Sequence, residues 1–204
     1  MIKFLNCQID TCQKVLEPRL ETEFWTEKAI AMIQKSKAPK ILDIFSGSGC
    51  IGIAVLKNTK AFVDFVDISE QALEQIKINL ELNGIKDRFN IILSDMFSEL
   101  KAKKYDFILA NPPYVALDRI KEVEPDVLIK EPKQALFAGN DGMFFIRKFL
   151  NEAKDYLNKD GIIFMEFDPL QVEAIKEVLE KNNLKTQFKK DQFDKTRFLI
   201  CSLR

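Results

Sequence analysis

Ile41-Leu42-Asp43-Ile44-Phe45-Ser46-Gly47-Ser48-Gly49-Cys50-Ile51-Gly52 is the stretch that decides the fold. Its first half, Ile41–Phe45, is a short, nearly continuous apolar run, the pattern of a strand buried on both faces. Its second half holds three of the chain's seven glycines within six residues. Glycine lets the backbone turn tightly and approach a ligand closely. A helix starting here offers unpaired backbone N–H groups and the positive end of its dipole.

Working outward from this loop, short β-rich runs alternate with helical runs. The strand candidates are Ile41–Phe45, Ala61–Val66, Asn90–Leu93, Tyr105–Ala110, Gly161–Phe167, Leu184–Phe188 and Arg197–Cys201. Glu21 to Gln34 reads as a helix with Phe24, Trp25, Ala29, Ile30 and Ile33 on its apolar side. Ser69 is placed to cap a helix bearing Leu73, Ile76 and Leu80, with Gly84 ending it. Asp141–Leu157 reads as a third helix, with Phe145, Phe149, Leu150 and Ala153 inward. Asp168-Pro169 opens a fourth whose inward face is Leu170, Ala174, Ile175, Val178 and Leu179. Strand–helix alternation of this kind predicts an α/β, doubly wound, mostly parallel sheet with helices on both faces. Ligands of such sheets bind beyond the carboxyl ends of the strands, so the residues just after each strand matter most.

Composition narrows the chemistry. The 204 residues correspond to one domain, or one plus a small appendage, and 31 Lys+Arg balance 31 Asp+Glu. Balanced charge argues against a general nucleic-acid binder. The lysines near Lys101–Lys104 and Lys185–Lys190 read as solvated faces. There is no histidine, which excludes Ser-His-Asp and Cys-His catalysis and any His-ligated metal. Cys7, Cys12, Cys50 and Cys201 lack a paired CxxC knuckle and read as small, buried or half-buried residues. No metal site is expected. No apolar run approaches the ~18–20 residues of a membrane span, and Met1–Asp10 lacks the pattern of a secretory signal. A cytoplasmic protein is therefore expected.

The glycine loop admits more than one reading. Gly47, Gly49 and Gly52 match GxGxxG, and Asp67 follows the next strand, as in a dinucleotide (NAD) fold. Asp43, four residues before the first of these glycines, fits equally the acid-x-x-x-Gly-x-Gly loop that holds the aminoacyl part of S-adenosylmethionine (AdoMet). Asp67 suits the ribose hydroxyls in either case. A turn built only for packing is the third reading.

Asn111-Pro112-Pro113-Tyr114, after the fourth strand, separates them. An NAD site has no use for it, whereas methyl transfer to a planar nitrogen does. The lone pair of an amide or exocyclic amine is spread into a π system. Two acceptors gripping its N–H bonds, the side-chain oxygen of Asn111 and the main-chain carbonyl of Pro112, return electron density to the nitrogen. Consecutive prolines stiffen the loop, and Tyr114 offers a face for a planar group. Such an in-line displacement depends on alignment and needs no imidazole.

With these residues in view, the chain resembles the class I AdoMet-dependent methyltransferases. In particular it is similar to the family that methylates the glutamine side chain of peptide chain release factors. Pro18-Arg19-Leu20-Glu21-Thr22-Glu23, Ile41–Ala54, Asn111–Val115, Glu131-Pro132-Lys133-Gln134-Ala135-Leu136 and Ala138-Gly139-Asn140-Asp141-Gly142 carry the resemblance, which covers Pro18 to Arg197. It implies a Rossmann-like, seven-stranded sheet with an antiparallel last strand. It also implies AdoMet as methyl donor, S-adenosylhomocysteine as product, and the Gly-Gly-Gln glutamine of a release factor as substrate.

By position, the resemblance implies cofactor contacts from Asp43, Phe45, Ser46, Gly47, Ser48, Gly49, Asp67, Ile68, Asp95, Met96 and Asn111. It puts Asn111, Pro112, Pro113 and Tyr114 at the substrate, with Asn111, Pro112 and Tyr114 catalytic. Asp95 also suits a helix N-cap, and Glu21 and Glu23 a solvated first turn. Phe45 stands where the family has a loop glycine and is expected to crowd the turn. Met96 replaces a larger aromatic. Residues 1–17 are expected to form an arm or hairpin before a methyltransferase domain over 18–204, in place of the helical N-terminal domain of bacterial members. A shorter branch of the family, lacking that domain, works with a small activator protein. Adenine-N6 methylation of RNA or DNA and an inactive AdoMet-binding module are the other readings.

Overall fold

The computed structural model describes residues 1–182 and 184–203. Seven strands form one sheet: β3 (Lys40–Ile44), β4 (Phe62–Asp67), β5 (Phe89–Leu93), β6 (Tyr105–Ala110), β7 (Leu157–Glu166), β8 (Leu184–Lys190) and β9 (Thr196–Leu203). They follow a separate antiparallel hairpin of β1 (Ile2–Phe4) and β2 (Cys7–Ile9). The order across the sheet is β5-β4-β3-β6-β7-β9-β8. Neighbours from β5 to β7 are parallel, and β9 runs antiparallel to both β7 and β8. This is the doubly wound, Rossmann-like sheet with an antiparallel last strand that the sequence implies.

The period-two alternation of the central strands supplies both faces. Ile41, Val63, Phe65, Phe107, Leu109 and Phe164 face one layer, formed by α1 (Leu20–Ile33), α2 (Cys50–Asn58) and α3 (Glu70–Leu82). Leu42, Ile44, Val66, Ile108, Ala110 and Met165 face the other, formed chiefly by α6 (Phe144–Glu152) and α7 (Val172–Glu180). In the chain, the short helices α4 (Pro125–Lys130) and α5 (Lys133–Leu136) come between β6 and α6. Each fully buried Leu, Ile or Phe contributes about 1.5–3 kcal/mol. Residues 50–56, the first seven of α2, are all buried, as a helix laid over the sheet centre requires.

The caps act largely as read from sequence. Ser69 accepts a hydrogen bond from the Ala72 N–H, and Gly84 follows α3 at φ 69°. Asp168 and Gln171 form a capping box around Pro169. Two readings are corrected. The helix expected over 141–157 spans only Phe144–Glu152, because Gly142 turns the chain at φ 74° and Ala153–Tyr156 tightens into a 3-10 turn before β7. Leu170 is not inward: it sits in the 3-10 turn ahead of α7 and is 73% exposed.

The N-terminal segment is docked by a ladder of carboxamides on α3 and its C-cap Asn83, spaced one turn apart. Asn83 exchanges hydrogen bonds with Gln8, Asn79 with Asp10, and Gln75 accepts from the Gln13 N–H. Glu23 of α1 accepts from the Leu5 N–H in the hairpin turn. All four cysteines are free; Cys12 is exposed and the other three are buried. Among the described residues, no helix is long and apolar enough to cross a membrane, and no His/Cys/Asp/Glu cluster is suited to a metal ion.

Candidate active site

The chain enters the sheet at β3, works outward to β5, and then crosses to β6 on the other side of β3. That reversal opens a crevice beyond the carboxyl ends of the strands. A cavity of about 370 Å³ lies there, within the range of about 300–1,000 Å³ usual for small-molecule sites. Ile44 pairs with both Val66 and Ala110. The residues that follow, Phe45, Asp67 and Asn111, therefore emerge side by side from three adjacent strands, and all three line the cavity.

The glycine loop is stitched to β4. The Ser46 N–H donates to the Val66 carbonyl at 3.1 Å, and the Ser46 Oγ accepts from the Val66 N–H at 2.9 Å. Asp67 accepts from the Gly47 N–H at 2.9 Å and the Ser69 N–H at 3.0 Å. Burial pushes the Asp67 carboxyl above its ordinary value, against the pull of these hydrogen bonds. Gly49 caps α2 at φ 75°, a backbone state that glycine adopts without cost. A Cβ on Gly52 would come within 2.3 Å of the Phe65 ring.

The other walls come from further along the chain. Ser94, Asp95 and Met96 follow β5, and Ile68 follows β4 with 53% of its surface exposed. Gln13–Arg19 forms one wall, and Pro132, Gln134 and Ala135 form another. Arg19 and Glu131 join these two walls in an ion pair. Asn111 Nδ2 donates to Thr22 Oγ1 at 3.2 Å.

A family model described as methyltransferase small domain matches residues 21–194. A release factor glutamine methyltransferase of Thermodesulfovibrio yellowstonii is 38% identical over 178 residues, 86% of this chain and 63% of the relative. One from Borreliella burgdorferi is 34% identical over 206 residues, 99% of this chain and 70% of the relative. The chain belongs to the family of these release factor glutamine methyltransferases. It spans 63% of the length of the first relative. A solved ribosomal protein L11 methylase from Lactobacillus delbrueckii shares the fold, with a TM-score of 0.70 at 20% identity over 96% of this chain and 84% of that one.

Against the positions that the family resemblance implies, Phe45, Ser46, Gly47, Ser48, Asp67, Ile68, Asp95, Met96, Asn111 and Pro113 line the cavity, while Asp43, Gly49, Pro112 and Tyr114 do not. Asp43 is fully buried behind the loop. There its Oδ2 accepts from the Gly52 N–H at 2.9 Å, and its Oδ1 has no partner. Burial pushes this carboxyl well above its ordinary value. The Tyr114 hydroxyl points to Glu166 Oε1 at 3.1 Å. Phe45 does not crowd the turn: it takes the left-handed φ of 60° that explains a family glycine, and its ring leaves toward Phe145 and Phe149. Asp95 caps no helix. Its carboxylate pairs with Lys148 at 3.1 Å, and Ser94 Oγ bonds the turn instead, donating to the Met96 carbonyl and accepting from the Glu99 N–H.

Sequence reasoning missed Glu166, the acid at the end of β7 that gathers Thr22, Trp25 and Tyr114. An acid closing the apolar run Ile162-Ile163-Phe164-Met165 at a carboxyl strand end was the available signal. Residues 13–17 of the wall carried no such signal; the wall begins at Gln13, whose N–H donates to Gln75 of α3.

Proposed function

We propose that the chain is an AdoMet-dependent methyltransferase that methylates the N5 nitrogen of the glutamine in the Gly-Gly-Gln motif of peptide chain release factors. The observation that carries this reading is Asn111 lying beside Phe45 and Asp67 at one cavity, with its amide nitrogen already engaged by Thr22. Its oxygen is thereby free for a substrate N–H. The sequence relatives support a release factor as substrate. Lys103 and Lys190, in the two lysine-rich stretches, are paired with Asp64 and Asp194.

AdoMet fits the donor set: an acid beyond β4 for a ribose, a backbone loop open at Gly47, and apolar Ile68 and Met96 for an adenine ring. Bound there, it supplies an electrophilic sulfonium methyl. Ser46, Gly47 and Ser48 hold the methionine end. Asp95 accepts from the adenine amine, for which its bond to Lys148 orients it. Asn111 Oδ1 grips one N–H bond of the substrate amide at the cavity; the carbonyl of adjacent Pro112, outside the cavity lining, is the second acceptor that the motif offers, and together they direct the lone pair. Pro113 shapes the entrance, and Tyr114, tied to Glu166, keeps the loop rigid. Glu166 is not a base in this scheme, because both its oxygens are committed inside the protein.

The test incubates the chain with methyl-labelled AdoMet and, separately, a release factor, its Gly-Gly-Gln Gln→Ala variant, and bulk RNA. Label on the unmodified release factor alone is expected. Label on the RNA, or equal label on both release-factor forms, would overturn the reading.

A further inference from the structure

Glu166 follows the Ala110–Met165 pair by one residue, which sets it opposite Asn111 where β6 ends. It is 1% exposed. Its Oε2 accepts from Thr22 Oγ1 and from Trp25 Nε1, each at 2.7 Å, and its Oε1 accepts from the Tyr114 hydroxyl at 3.1 Å. A carboxylate has acceptors only. The Thr22 hydroxyl proton is therefore committed to Glu166, and what Thr22 presents to Asn111 is a lone pair. Only the NH2 end of the Asn111 amide can meet it, at 3.2 Å.

We propose that Thr22, oriented by Glu166, is a positioning residue that fixes which end of the Asn111 amide faces the cavity. The two ends of that amide are nearly equal in shape and opposite in chemistry. A flipped Asn111 would present N–H to the substrate's N–H, and the grip on the nitrogen would be lost. The catalytic meaning of the relay rests on the function proposed above. The relay itself is a property of the protein alone.

Thr22→Val keeps the shape and removes the hydroxyl, and Thr22→Ser keeps the hydroxyl. In the 15N-labelled protein without ligands, Thr22→Val is expected to shift the Asn111 side-chain NH2 resonances and speed their exchange. Thr22→Ser is expected to leave both near the unsubstituted values. In the transfer assay, kcat is expected to fall by roughly ten- to a hundredfold in Thr22→Val, the scale of a misplaced reacting group. AdoMet affinity is expected to stay within about twofold, and Thr22→Ser to restore most of kcat. Glu166→Gln is expected to be mild, since its amide oxygen can serve Thr22 and Trp25 while its NH2 faces Tyr114.

Unchanged Asn111 resonances in Thr22→Val would overturn the proposal. So would a loss of AdoMet binding in step with kcat, or a serine variant that rescues nothing. Where valine does not fold, Thr22→Ala against Thr22→Ser gives the same comparison. If the unsubstituted chain transfers to no release factor, the functional reading fails, while the resonances still decide the relay.

Discussion

Asp67 accepts a hydrogen bond from the backbone N–H of Gly47 at 2.9 Å, so the acid that ends β4 holds the first glycine of the loop after β3. On the proposed function, replacing it removes the acceptor for the cofactor ribose together with the observed brace of the loop. Hydrogen bonds to a charged group are worth about 1.5–3 kcal/mol, and tenfold in affinity is about 1.4 kcal/mol. Asp67→Ala is expected to weaken AdoMet binding by roughly ten- to a hundredfold in titration calorimetry. An unchanged Kd would contradict the role.

Asn111→Ala separates chemistry from binding. The side chain reaches the cavity but carries none of the loop contacts that shape the cofactor end. Removing one preorganised polar group aimed at a reacting centre costs on the order of 10²–10³ in kcat. Methyl transfer is expected to fall by that amount while AdoMet binding stays within a few fold. Calorimetry showing cofactor binding lost with activity would place Asn111 elsewhere in the mechanism.

Phe45 sets two effects against each other. Its left-handed backbone costs about 1–2 kcal/mol relative to glycine. Its ring packs on Phe145 at 5.9 Å and Phe149 at 6.3 Å between centroids. Each such aromatic pair is worth about 0.5–1.5 kcal/mol beyond the area buried. The packing wins, so Phe45→Gly, although closer to the family pattern, is expected to destabilise by about 1 kcal/mol and lower Tm by roughly 2–4 °C. A higher Tm would show that strain dominates.

The strands were legible because parallel strands buried on both faces read as apolar runs, and Ile41, Tyr105 and Leu184 start runs that prove to be strands. Loop and acid were legible because backbone shape dictates a glycine at Gly49, at φ 75°, and an acid at a strand end can brace the loop, as Asp67 does at Gly47. Glu166 and Thr22 were not, because their importance lies in a contact between residues 144 apart in the chain. Leu170 was misplaced because helical periodicity does not reveal a 3-10 turn ahead of the helix proper. The resemblance implies a ligand contact for Asp43, while its side chain turns behind the loop to Gly52.

Arg19 and Glu131 lie 112 residues apart and join the two cavity walls. The Glu131 side chain is nearly buried while Arg19 is about one-third exposed. Arg19 draws the Glu131 carboxyl down, but burial pushes it up further. Removing Arg19 leaves a buried acid without its partner, which costs more than removing both charges. In a double-mutant cycle followed by urea unfolding, Arg19→Ala is expected to destabilise the native chain more than it destabilises the Glu131→Gln variant. Equal costs in the two backgrounds would mean that the pair adds nothing.

Burial also sets how stability depends on pH. Asp43 and Asp67 have carboxyls pushed above their ordinary values, mainly by desolvation. Unfolded, such groups titrate near pH ~4. Between that pH and their raised folded values, the folded chain keeps protons that the unfolded chain has released, so stability falls as pH rises. The contribution is complete below the unfolded value and is lost as pH passes through the folded ones. The acids whose values are lowered, Asp10, Glu122, Asp126 and Asp141, act below the ordinary range and leave this window untouched. With no histidine in the chain, no imidazole titrates against the trend. Tm is therefore expected to fall as pH rises above the ordinary carboxyl range, and Asp43→Asn, which cannot titrate, to flatten that slope. A Tm that rises across the same interval would mean that these acids are ionised in the folded protein at no cost.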